Sequence, residues 1–123
     1  MKYILPQEIQ VWYVLPAIRK ELTKVLVKEK GLTQKETAKI LSITEAAVSQ
    51  YLSEKRANTL QLEESVINEI RKSANLIIKH PKCLISEIIK ILDHKDVWKS
   101  ICIFHKENDS NINNQCNICK KCN

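Results

Sequence analysis

The sequence predicts an all-α protein. One glycine and three prolines in 123 residues provide little turn chemistry for the many hairpins of an all-β fold. Apolar residues recur at three- and four-residue spacing along most of the chain, which is the periodicity of amphipathic helices. With 44% hydrophobic and 28% charged residues, the composition is typical of a globular domain rather than a disordered chain. We therefore expect one small helical domain with a short appendage.

The first periodic segment spans about residues 6–29, with an apolar stripe on one face and charged residues, including Lys20, on the others. Pro16 predicts a kink or a new helix start, because proline has no backbone N–H. Gly31, the only glycine, follows where a left-handed C-cap favours this residue. We expect a long first helix that ends just before Gly31.

Two short helices follow, each opened by a polar N-cap. Thr33 and Glu36 have the spacing of a capping box, and the helix that they open runs to about residue 41. After a tight turn, Thr44 caps a second short helix over about residues 45–54. Two short helices joined in this way form a helix-turn-helix, which can place its second helix in the major groove of DNA.

The second short helix turns a polar face outward. On it a Gln amide can bind adenine, a Glu carboxylate can accept from cytosine, and an Ala methyl can meet a thymine methyl. The start of the first short helix, and basic residues after the second, are placed to contact phosphates. The candidate DNA-binding residues are Gln34, Thr44, Glu45, Ala46, Ser49, Gln50, Lys55 and Arg56. The alternative is that these helices serve only the core or a protein contact.

Three more helices are predicted over about residues 60–79, 81–92 and 94–105, the last with Asp93 as its N-cap. Cys83 is expected to be a buried small hydrophobe, and His80 and His94 are expected to act in capping. The middle helix has an unusually apolar face for so small a chain, which motivates the hypothesis of a dimer interface. That face comprises Leu84, Ile85, Ile88, Ile89 and Leu92.

Four of the five cysteines lie within the last 22 residues, which suggests metal ligation rather than disulfides. Cys102, Cys116, Cys119 and Cys122 suit an iron–sulfur cluster, a four-iron, four-sulfur (4Fe–4S) cluster more than a two-iron one. If His105 replaces Cys122, the set becomes a tetrahedral Cys3His zinc site. Free or redox-paired thiols are the third alternative.

Three stretches of the sequence resemble a known family. They are Pro16-Ala-Ile-Arg-Lys-Glu-Leu-Thr-Lys-Val-Leu, Gly31-Leu-Thr-Gln-Lys-Glu-Thr-Ala and Thr44-Glu-Ala-Ala-Val-Ser-Gln-Tyr-Leu-Ser-Glu-Lys-Arg56. They resemble the phage-repressor (Xre-like) helix-turn-helix family, in particular small archaeal predicted transcriptional regulators with a C-terminal cysteine cluster. The resemblance covers residues 16–56. It departs at Ser42, where many members have glycine, and at Thr37, where an apolar residue is usual. It implies a DNA-binding regulator and favours iron–sulfur use.

These observations divide the chain into a helix-turn-helix domain (1–58), a helical dimerisation region (59–106) and a cysteine-rich metal-binding tail (107–123). We expect a homodimeric transcriptional regulator that binds operator DNA and senses redox or iron status, a role that the net charge of +6 suits. The alternatives are the same regulator with a structural zinc, and an antitoxin- or adaptor-like interaction protein that does not bind DNA.

The sequence also argues against an enzymatic function and against membrane association. It has no Gly-rich phosphate loop and no Ser/His/Asp pattern, so we expect neither an enzyme nor a small-molecule substrate. Its longest uninterrupted apolar stretch, residues 11–15, is far shorter than the ~20 residues of a membrane span. The N-terminus lacks the features of a signal peptide. We expect no membrane association and a cytoplasmic location.

Overall fold

The computed structural model describes residues 5–54 and 60–108. Within these ranges every regular element is helical, which confirms the all-α class. The helices are α1 (Pro6–Ile9), α2 (Leu15–Lys24), α3 (Gln34–Leu41), α4 (Glu45–Leu52), α5 (Glu64–Lys79), α6 (Leu84–Leu92) and α7 (Lys95–Asn108). Two π-helical turns, Gln10–Val14 and Val25–Glu29, flank α2, and a 3-10 turn, Pro81–Cys83, precedes α6.

The first helical segment runs from α1 through α2 by way of a widened turn. Pro16 lies in the first turn of α2, where its missing N–H costs no helical hydrogen bond. In the π-helical turn before it, the Leu15 N–H donates to the Gln10 carbonyl. The segment ends at Gly31, whose φ of 72° is left-handed, and the Leu32 N–H donates to the Leu26 carbonyl at 3.0 Å. The predicted glycine cap is therefore confirmed.

One hydrophobic core joins the N-terminal helices to α5, α6 and α7. Its members come from both the 1–58 and the 59–106 segments, so these two parts of the chain pack against each other. The largest fully buried side chains are Ile9, Ile18, Leu22, Leu26, Ile70, Ile77, Ile91, Ile101, Val14, Val25, Val48 and Val66.

Several predicted helix boundaries are wrong. The helix expected from residue 81 is a 3-10 turn over Pro81–Cys83 and is α-helical only from Leu84. The helix expected from residue 60 begins at Glu64, although Leu60 is buried against the core at 7% exposure. The apolar spacing reflected burial there, not helical conformation. The helix expected to reach residue 54 ends at Leu52, because Glu54 adopts a left-handed φ of 61° that stops the helical path.

The N-cap of α7 is His94, which confirms the capping role expected of this histidine, whereas the prediction of Asp93 as the N-cap was wrong. The His94 side chain accepts a hydrogen bond from the Asp96 N–H at its Nδ1 atom, at 3.0 Å. An imidazole nitrogen here satisfies one of the free donors of the first turn. The helix continues to Asn108, three residues past the predicted end. Cys83 is half-buried, not fully buried as expected.

In the described ranges, none of the helices combines the length and apolarity that a membrane span would need.

Candidate nucleic-acid interface

The start of α3 is fixed by the predicted capping box. The Glu36 N–H donates to Thr33 Oγ1 at 3.0 Å, and the Thr33 N–H donates to Glu36 Oε1 at 3.2 Å. These bonds satisfy two backbone donors that no helical carbonyl reaches. Gln34, the first residue of α3, is exposed. The N-terminus of α3 is therefore rigid and open to solvent, which is the geometry that anion binding at a helix start requires.

The turn between α3 and α4 depends on a left-handed residue. Ser42 has a φ of 56°, and the Ile43 N–H donates back to the Ala38 carbonyl at 3.0 Å. This six-to-one bond is that of a Schellman motif, which reverses the chain directly after the helix. Ile43 is half-buried against the core cluster. The turn is therefore short and anchored.

The helix α4 begins at a second N-cap and buries one face. Thr44 Oγ1 accepts from the Ala47 N–H at 3.0 Å. Val48 and Tyr51 are buried at 0% and 2% exposure, as the helical phase predicted, and Leu52 is half-buried. Ala38 on α3 and Ala47 on α4 are also buried, at 5% and 7%.

The opposite face of α4 is open to solvent. Six of the eight predicted DNA-binding residues are described, and all six are exposed: Gln34, Thr44, Glu45, Ala46, Ser49 and Gln50. The Thr44 hydroxyl already accepts from the Ala47 N–H, and its O–H and second lone pair remain for a ligand. Lys55 and Arg56 lie outside the described residues.

Two lysines of α3 were not among the predicted contacts. Lys35 and Lys39 are both exposed and lie one helical turn apart, so they share a face of α3. The signal in the sequence was their four-residue spacing in the helix that precedes the proposed groove-binding helix. They supply positive charge beside α4, whose only charged side chain is Glu45.

The end of α4 is tied to α2 by ion pairs. Lys24 Nζ lies 2.6 Å from Glu54 Oε1, and Lys20 Nζ lies 3.9 Å from Glu54 Oε2. The hydrogen bond from Lys24, followed by the nearby charge of Lys20, holds the pKa of Glu54 below its ordinary value. Lys20, expected on an outer face, is buried at 7% exposure, because its aliphatic stem can pack while the ammonium group reaches the carboxylate.

Only part of the predicted metal site lies in the described ranges. Cys102 and His105 belong to the buried stripe of α7, at 9% and 5% exposure, and their three-residue spacing places both on one face. Among residues 5–54 and 60–108, no group of three or more His, Cys, Asp or Glu side chains is placed to hold a metal. Cys116, Cys119 and Cys122 lie outside those ranges. A metal bound by Cys102 would be held against the helical core.

Comparison of the chain with protein-family models, with curated proteins and with solved structures returns no match.

Proposed function

We propose that the chain is a sequence-specific, DNA-binding transcriptional regulator that acts as a homodimer, with its helix-turn-helix in residues 1–58. One observation carries the proposal: α4 is capped and buried on one face, while its other face of short polar and small side chains is exposed. Apart from Glu45, this exposed face carries no charged side chain, whereas charged residues are common on the solvent face of an amphipathic helix. The resemblance of residues 16–56 to phage repressors supports the same conclusion.

The dimensions of α4 suit a major groove. A helix that lies in the groove must fit by its diameter, which is about 10–12 Å with side chains, and the groove is about 12 Å wide. The eight residues of α4 give about two turns along the groove. In this pose Glu45, Ala46, Ser49 and Gln50 meet base edges. Small side chains at Ala46 and Ser49 let the helix backbone approach the bases closely.

Phosphate contacts come from α3 in this pose. The Gln34 side-chain amide and the N–H groups at the start of α3 donate hydrogen bonds to one phosphate, and the exposed Lys35 and Lys39 neutralise others. Such contacts orient the protein on the duplex, whereas the α4 face supplies the sequence preference. The caps at Thr33 and Thr44 and the Lys24–Glu54 pair hold the two helices in one relative position before DNA binds.

We also propose an iron–sulfur cluster ligated by Cys102, Cys116, Cys119 and Cys122, through which the regulator senses redox or iron status. Cys102 is the one proposed ligand in the described ranges, and its burial at 9% exposure suits a ligand shielded from solvent. When bound, a cluster supplies a redox-active group whose loss frees its thiolates. The alternative of a structural zinc with His105 leaves the DNA-binding proposal unchanged.

The test uses one added negative charge. A duplex bound by the full chain is first selected from a random pool, and its affinity is then measured by fluorescence anisotropy. Ala46→Asp places a carboxylate on the proposed groove face, at the second position of α4, where acidic residues favour the helix. Gln7→Asp makes the matched change at the second position of α1, which is also exposed.

We expect Ala46→Asp to weaken binding at least about 30-fold, because the carboxylate faces base edges and phosphates, and Gln7→Asp to change it less than about threefold. Equal effects of the two variants, or failure to select any duplex, would contradict the proposal. Circular dichroism of both variants checks that the helices remain folded.

A further inference from the structure

The outward face of α6 exposes Ile85 and Ile89 next to Ser86 and Lys90, and opposite charges lie at the two ends of the helix. Ile85 and Ile89 are 72% and 60% exposed. Lys82, in the 3-10 turn before α6, and Asp93, directly after it, are also exposed. Single exposed apolar residues are common on protein surfaces, but two on one short helix, between opposite charges, form a patterned surface.

The inward face of α6 packs against the chain's own core. Three of the five residues of the predicted dimer face, Leu84, Ile88 and Leu92, belong to this inward face, so the prediction was wrong for them and only Ile85 and Ile89 remain exposed. Ile91 is buried at 2% exposure, and Glu87 is buried at 9%. The Ser73 hydroxyl on α5 donates to Glu87 Oε1 at 2.8 Å, so this carboxylate is paired within the chain. The hydrogen bond fixes the rotation of α6 and keeps Ile85 and Ile89 on the outside.

The helical periodicity aligns the outward residues into one seam. Within α6, at 100° per residue, Ile85 and Ile89 lie within about 40° of one another around the axis. Lys82, in the 3-10 turn, precedes Ile85 by one three-residue turn, and Asp93 directly follows the helix, four residues after Ile89. Ten residues lie between Lys82 and Asp93, which are roughly 17 Å apart along the helix axis. The seam has a positive end, an apolar middle and a negative end. Two copies of the seam laid side by side in opposite directions therefore bring the positive end of each next to the negative end of the other.

We propose that this seam pairs with the same seam of a second copy of the chain, antiparallel about a two-fold axis. Lys82 of each copy then meets the partner's Asp93, and the isoleucines of the two copies pack in the centre. An isologous contact of this kind is the commonest way in which identical chains associate. The pairing deepens the proposed function, because it supplies the homodimer interface.

A shallow groove beside the seam receives the partner. It is lined by Gln10, Ile89, Lys90, Leu92, Asp93 and Trp98. The Gln10 side-chain amide donates to the Leu92 carbonyl at 3.4 Å, which joins the N-terminal segment to the end of α6. In the antiparallel arrangement the partner's Ile85 lies opposite Ile89 at the edge of this groove, where it buries apolar surface.

The size of the seam sets the strength of the pairing. A nine-residue helix is about 14 Å long, and one face of it buries far less than the ~1,200 Å² of a standard stable interface. We therefore expect weak association in solution. On DNA with two half-sites, both copies are held at high effective concentration, and the same contact makes binding cooperative.

Sedimentation equilibrium of the full chain without DNA, from about 10 µM to about 1 mM, tests the pairing. The wild-type mass should rise from 14.2 kDa toward twice that value. Lys82→Glu and Asp93→Lys should each weaken association about tenfold, because like charges then meet across the seam. The double variant K82E/D93K should restore it, and Ile89→Glu should abolish it. Lys72→Glu, on an exposed lysine of α5, is the matched control and should have no effect.

A mass of 14.2 kDa at every concentration, single reversals without effect, or a double variant that stays impaired would each overturn the proposal. Because no DNA is present, the result is separate from the proposed function. A chain that associates through this seam but binds no duplex contradicts the regulator and leaves the pairing intact.

Discussion

Glu54 Oε1 lies 2.6 Å from Lys24 Nζ, and this ion pair ties the end of α4 to α2. Glu54 has a left-handed φ of 61°, a conformation that costs free energy for any residue with a side chain. The chain turns out of α4 at this point, and the carboxylate reaches two lysines of one helix. The ion pair therefore links the turn after α4 to α2.

Glu54→Gln should lower stability at neutral pH and have little effect in acid. The pKa of Glu54 is lowered in the folded chain, first by the hydrogen bond from Lys24. A carboxylate with a lowered pKa contributes stability above its unfolded pKa, near 4.5, and loses that contribution as the pH falls through the folded value. Denaturant unfolding at about pH 7 and about pH 3 measures the difference.

The control for this prediction is a double-mutant cycle with Lys24→Met, which keeps the aliphatic stem. At neutral pH the effects of the two substitutions should be less than additive, because either one already breaks the pair. Strict additivity at neutral pH would show that the two side chains do not interact.

Thr37→Val should stabilise the fold by about 1 kcal/mol. The Thr37 side chain is 0% exposed, and within the described part of the chain its Oγ1 atom has no hydrogen-bond partner. Valine has nearly the same shape and removes the buried hydroxyl. Thermal unfolding should show a rise of about 4 °C. The control is Thr37→Ser, which keeps the hydroxyl and removes a methyl group and should therefore destabilise the fold. A Thr37→Val variant less stable than the wild type would contradict this prediction.

Ser42→Gly should also stabilise, by about 1 kcal/mol, because glycine adopts a φ of 56° without the steric cost that a Cβ atom imposes. Ser42 is exposed, so no packing is lost. Ser42→Ala keeps the Cβ atom and should gain nothing, which makes it the matched control. Denaturant midpoints of the three proteins compare them directly, and equal midpoints for serine and glycine would contradict the argument.

If the chain holds the proposed cluster, protein purified anaerobically should be brown, absorb visible light and contain iron and sulfide. Cys102→Ser and Cys122→Ser should each lose the colour, because each removes a ligand. Cys83→Ser, at a half-buried thiol outside the proposed set, is the control and should keep it. A colourless protein with one zinc per chain, bound in Cys122→Ser but lost in His105→Asn, would instead establish the Cys3His site.

Sequence patterns predicted best the structural features that depend on residues close together in the chain. The capping box at Thr33, the cap at Thr44 and the glycine at the end of the first helical segment are all as expected, because each rests on local hydrogen bonds and backbone preference. The buried face of α4 followed from the helical period alone.

Features that depend on distant partners could not be predicted. Lys20 was expected to be exposed, and its burial requires Glu54, thirty-four residues away in the sequence. Glu87 is buried on α6 because Ser73 on α5 donates to it, a pairing that no spacing reveals. Leu60 is buried without being helical, because an apolar residue contributes to the core from either conformation.

The most direct test of the DNA-binding proposal is an amide chemical-shift titration of the labelled full chain with the selected duplex. We predict that the largest amide chemical-shift changes fall at the start of α3 and along residues 44–50. Amide signals of α6 should change only when the duplex has two half-sites. Chemical-shift changes confined to residues outside 33–56, or none at all at saturating duplex, would contradict it.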